Sequence, residues 1–122
     1  MTKAERAAQL RSDPNVHYNC TQGVFIPYAE ELGLTTEQAN AIGAHFGGGM
    51  HVGATCGAIV GGLMALGLLG KDKETAGKFW NEFKEAAGAT DCAELKRLIK
   101  EEGGMSCNEL VLKAVELVEK YK

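Results

Sequence analysis

Between Cys56 and Gly70 the chain runs without a single charged residue, and five positions of that stretch are glycine: Gly57, Gly61, Gly62, Gly67 and Gly70. About 20 apolar residues are needed to cross a bilayer as a helix, so this run is too short to span one and reads as a buried helix. Each glycine inside a helix costs about 1 kcal/mol relative to alanine, so several together imply compensation by close packing or by a ligand. Gly57, Gly61, Gly62 and Ala65 would leave one side of the helix nearly bare, where a neighbouring backbone can approach. The segment Cys56 to Leu69 is therefore expected to be the central helix of the fold.

Helix-start signals surround it. Thr2 with Glu5, Asn19 with Gln22, Thr35 with Gln38, Asp91 with Glu94 and Ser106 with Glu109 each have the spacing of a capping box, in which the cap side chain and the third helical residue satisfy each other's backbone N–H groups. These predict helices from Thr2 to about Arg11, from Asn19 to Gly33, from Thr35 to about Phe46, from Asp91 to about Glu102 and from Ser106 to the end. Asp72 opens another over Lys73 to Ala87, where Phe79, Trp80 and Phe83 form an aromatic stripe read as core. Pro27 falls inside the second helix and is expected to kink or split it. Gly47-Gly48-Gly49 reads as a tight loop. No stretch alternates apolar and polar residues with the period of a strand. The expectation is an all-α single compact domain over 1–122, with about six to seven helices around the central glycine-rich one and residues 1–16 as a loosely packed N-terminal arm.

Composition excludes several classes of function. Thirteen Lys and Arg against sixteen Asp and Glu give a net charge of −3, with no basic stretch dense enough to track phosphates, so nucleic acid is not an expected partner. The N-terminal stretch carries no apolar core of a secretory signal, so the expected location is a reducing cytoplasm. A chain of this size can build a core without disulfides or metals. Its four cysteines therefore need another explanation, and in a reducing compartment cysteines are more often catalytic, metal-binding or transiently oxidised than permanently bridged.

Each cysteine directly follows a residue favoured at a helix N-cap: Asn19-Cys20, Thr55-Cys56, Asp91-Cys92 and Ser106-Cys107. All four thiols are then expected in the first turn of a helix, where unpaired N–H groups and the helix dipole favour thiolate over thiol. No C-x-x-C pair, zinc-ribbon spacing or haem-attachment motif is present, so any site must be assembled by the fold. Four thiolates gathered together carry −4, which four helix N-termini offset by only about +2. A Zn²⁺ ion or an oxidised two-iron, two-sulfide core would bring the sum close to zero. Convergence of all four thus favours a metal or iron–sulfur centre with Cys20, Cys56, Cys92 and Cys107 as ligands, and pairwise convergence favours thiol–disulfide exchange. In the second case Cys56 is the expected attacking thiolate. Gly57 would let the backbone approach a cofactor, and His51, beside the glycine loop, is a candidate to line the same pocket. For His17, His45 and His51 the plainer state is a solvated or hydrogen-bonded imidazole.

Cys20, the Phe46-Gly47-Gly48-Gly49 loop, the string Cys56-Gly57-Ala58-Ile59-Val60-Gly61, Asp91-Cys92 and Cys107 together resemble a family of redox-active proteins named for a C…CGAxxG…C…C pattern. The resemblance runs from about Asn19 to the C-terminus and includes all four cysteines. It implies a small bacterial or archaeal protein with a redox role, and related domains joined to haem-binding electron-transfer modules raise the expectation of an iron–sulfur site. It supplies no reaction and no named partner; a redox partner, itself a protein, is expected. Against the metal centre stand a metal-free thiol–disulfide protein and a zinc-stabilised or purely helical interaction module that self-associates as a homodimer through its apolar, glycine-rich faces.

Overall fold

The computed structural model describes residues 1–122. Seven α-helices follow one another: α1 (Lys3–Arg11), α2 (Cys20–Glu31), α3 (Thr36–Ile42), α4 (Gly57–Leu68), α5 (Lys73–Ala87), α6 (Cys92–Glu102) and α7 (Cys107–Tyr121), with a π-type turn at Gly49–Gly53 between α3 and α4. The fold is all-α, and its only extended pairing is an isolated antiparallel bridge between Thr55 and Asp91. No helix is long and apolar enough to cross a membrane.

The reciprocal capping boxes form at Thr2, Asn19, Thr35 and Ser106, and Asp72 caps α5 through the Thr75 amide. Asp91 does not complete its box. Its intended partner, Glu94, is drawn instead to the Arg97 guanidinium.

Eight helical segments replace the expected six to seven, because the glycine loop winds into a turn of its own. Gly48, Gly49, Met50 and His51 are all left-handed, with φ between +56° and +65°, and the Ala54 N–H donates to the Gly49 carbonyl at 3.1 Å. Glycine tolerates this conformation freely, whereas Met50 and His51 each forgo about 1–2 kcal/mol to adopt it. Helix α3 stops at Ile42 rather than near Phe46. Beyond it the Asn19 amide donates to the Gly43 and Ala44 carbonyls, which an α-helix would have used itself.

Pro27 does not split α2, which runs unbroken to Glu31. Nine consecutive residues, Thr21 to Ala29, are buried against neighbours on every side, and this packing outweighs the one backbone hydrogen bond that proline forfeits. Helix α2 contacts α1, α3, α4 and α7, so the centre of the molecule is the α2–α4 pair and not α4 alone.

The glycines of α4 explain that pairing. A Cβ on Gly61 would stand 2.6 Å from the Thr21 carbonyl oxygen, and one on Gly62 would collide with the Phe79 ring. Their absence lets α2 and α5 close onto α4. Phe79 and Phe83 are fully buried in the main core with Ile59, Leu66, Val111 and Val118, and Trp80, the third residue of the aromatic stripe, packs half-buried against it. Tyr28 crosses from α2 to α7, its hydroxyl donating to Glu119 at 3.0 Å. Helix α1 docks through buried Ala7 and Leu10, and Arg6 forms a two-pronged pair with Glu30.

Candidate functional site

Cys20, Cys92 and Cys107 are the first residues of α2, α6 and α7, and Cys56 is the cap residue immediately before α4. The four helix starts meet, and all four cysteines line one pocket together with Gly57, Leu95, Lys96, Ile99 and Leu110. Apart from Lys96 the walls are uncharged and mostly apolar, and the hollow between them is about 20 Å³, room for a single water-sized group. All four cysteines are free thiols. Cys56 and Cys92 are buried, and Cys20 and Cys107 are half-buried.

Backbone hydrogen bonds fix this convergence. The Cys56 N–H donates to the Thr90 carbonyl at 2.7 Å and the Cys92 N–H to the Ala54 carbonyl at 2.6 Å, so the entries to α4 and α6 are zipped together at the Thr55–Asp91 bridge. Thr21 Oγ1 donates to the Gly57 carbonyl at 2.9 Å, tying the start of α2 to that of α4. A Cβ on Gly57 would land on Cys20 Sγ and stand 2.8 Å from Thr21 Oγ1. Gly57 is therefore the residue that admits the Cys20 sulfur beside Cys56. Thr21 and Lys96 were not singled out from the sequence. Lys96 follows Cys92 at helical spacing, a legible signal; the partner of Thr21 lies 36 residues away and left none.

The electrostatics reverse one expectation. Placement at a helix start was expected to lower the thiol pKa values, yet burial pushes Cys56 up to about 11; the pull of the Ala58 and Ile59 amides does not overturn it, and the neighbouring Cys20 and Cys92 sulfurs add to it. Burial also raises Cys92, with the Lys96 charge acting the other way. Removing water from a thiolate here costs more than the exposed N–H groups return. Cys56 therefore holds its proton more tightly than an ordinary thiol, which works against the role of first attacking thiolate.

This shift has a consequence for stability. Below pH 9 Cys56 is protonated in both folded and unfolded chains. Between the ordinary thiol value of 9.0 and about 11, only the unfolded chain releases the proton, so stability falls by roughly 2–3 kcal/mol across that interval. Urea unfolding in reducing buffer at pH 8 and pH 11 checks this, and the Cys56→Ala protein should lose less.

Donor chemistry and donor spacing give different answers for a metal. Four thiols in an apolar pocket are suitable soft ligands. No three Cys, His, Asp or Glu side chains, however, stand in an arrangement that could hold a metal ion. The residues as arranged do not fit a preformed metal centre. His51 is not in the pocket wall. It is exposed on the left-handed turn, its Nε2 3.2 Å from His45 Nδ1, and it borders a separate open groove with His17 and Asn19.

Residues 18–121 match the family described as "Putative redox-active protein (C_GCAxxG_C_C)". The chain belongs to this family. The match takes in all four pocket cysteines and the glycines beside Cys56, with Cys56-Gly57-Ala58 in that order in this chain. No curated protein and no solved structure matches the chain.

Proposed function

We propose that the protein is a thiol-based redox protein whose four cysteines form one site that passes between dithiol and disulfide states. The observation that supports this reading most is the convergence of four free thiols on a single apolar pocket. Cys20 and Cys107 are open enough to meet a reagent, and Cys20 lies against Gly57 next to Cys56. In this scheme the Cys20 thiol gives up its proton to solvent, and its sulfur attacks one sulfur of an incoming disulfide. That bond breaks and the other half leaves as thiolate. Cys56 then resolves the mixed disulfide: its sulfur attacks the Cys20 sulfur as its proton passes to the departing second thiolate or to solvent, and the protein is left oxidised by two electrons. The high pKa of Cys56 suits a thiol that reacts second.

A second reading, a metal or iron–sulfur centre held by Cys20, Cys56, Cys92 and Cys107, is favoured by the meeting of all four sulfurs at four helix starts, whose N–H groups would offset part of the thiolate charge. It requires the four sulfurs to rearrange into a ligand set. Anaerobic purification followed by iron, zinc and sulfide assay separates the two. The thiol reading predicts four titratable thiols and no stoichiometric metal, whereas one bound ion or cluster per chain would replace it with the metal reading.

A further inference from the structure

Eight of the nine residues lining the cysteine pocket are uncharged, and the ninth is Lys96. It stands one helical turn after Cys92 on α6, and its side chain is exposed at the rim. No carboxylate pairs with it: the nearby acids Glu94 and Glu101 are both taken by Arg97, and Lys96 is absent from every other ion pair of the molecule. An unpaired ammonium at the edge of an apolar pocket is not neutralised locally, so its field reaches the sulfurs and whatever approaches them.

We infer that Lys96 makes the four-cysteine pocket selective for anionic disulfides and thiols. The inference rests on the thiol reading of the site. In the exchange step the pocket thiolate forms a bond to one sulfur of the reagent RSSR, the reagent's S–S bond breaks, and RS⁻ departs. Both the negatively charged reagent and the thiolate that leaves are stabilised beside a fixed cation. A cationic disulfide is disfavoured by the same charge, and a neutral one is affected least.

The test is the rate of mixed-disulfide formation on the reduced protein, followed by mass spectrometry at low ionic strength with three reagents: glutathione disulfide, bis(2-hydroxyethyl) disulfide and cystamine. In Lys96→Met the ratio of the anionic to the neutral rate should fall by about two- to fivefold, Lys96→Arg should retain it, and Lys96→Glu should turn the preference toward cystamine. Molar salt, with a Debye length of about 3 Å, should erase the difference between wild type and Lys96→Met. Lys100→Met, a change on the same helix outside the pocket wall, should leave the ratio as it is. An unchanged ratio in Lys96→Met, or an equal fall in Lys100→Met, overturns the role of Lys96 while leaving the redox site intact. A wild-type protein that reacts with none of the three reagents overturns both.

Discussion

Gly61→Ala is expected to destabilise the protein by about 1–3 kcal/mol, and Gly67→Ala on the same helix to stabilise it by up to about 1 kcal/mol. The two changes are chemically identical, and only their surroundings differ. The new methyl at Gly61 would stand 2.6 Å from the Thr21 carbonyl oxygen and 3.0 Å from Val24 Cβ. The first of these is backbone and cannot rotate away, so α2 and α4 must separate. At Gly67 nothing lies within 4 Å, and the gain in helix propensity goes unopposed. Urea midpoints of the two variants should therefore move in opposite directions from wild type. Because Thr21 also anchors Gly57 at the pocket, Gly61→Ala should additionally raise the reactivity of Cys56 toward alkylation, a readout of pocket opening separate from global stability.

The second large effect concerns Cys20. Cys20→Ser should slow the oxidation of the pocket by a low-molecular-weight disulfide by at least roughly tenfold, because it removes the half-buried thiol next to Gly57 and leaves the buried, protonated Cys56 to attack in its place. Cys56→Ser should behave differently: the first attack at Cys20 proceeds, and the mixed disulfide accumulates for want of a resolving thiol. Stopped-flow or quenched mass spectrometry distinguishes a slow first step from a trapped intermediate. Equal rates in Cys20→Ser and wild type would assign the attack to Cys107, the other half-buried sulfur.

The parts of this architecture written in local sequence were legible in advance. Four capping boxes three residues wide fixed the starts of α1, α2, α3 and α7, and they placed Cys20 and Cys107 in first turns. Glycines along α4 announced close packing before its partners were known. What local pattern could not convey was competition from elsewhere in the chain. Glu94 matched a capping box but found a stronger electrostatic partner in Arg97 three residues on. Pro27 carried the local signal of a break, yet with nine buried residues around it α2 continues through to Glu31. The glycine stretch was expected to be a tight loop, and a left-handed run of four residues winds it into a helical turn of its own. At the site, the residue types were readable and their ionisation was not. The pKa of Cys56 depends on how much water the other three helices exclude, a property of the assembled pocket and not of its own cap.

The central claim is that the four cysteines act as one redox site, and intact-mass measurement in a graded glutathione buffer tests it most directly. The reduced protein should lose about 2 Da per disulfide at a midpoint between roughly −180 and −320 mV, with Cys20 and Cys56 in the first linkage. Four free thiols persisting unchanged across that whole range would contradict it.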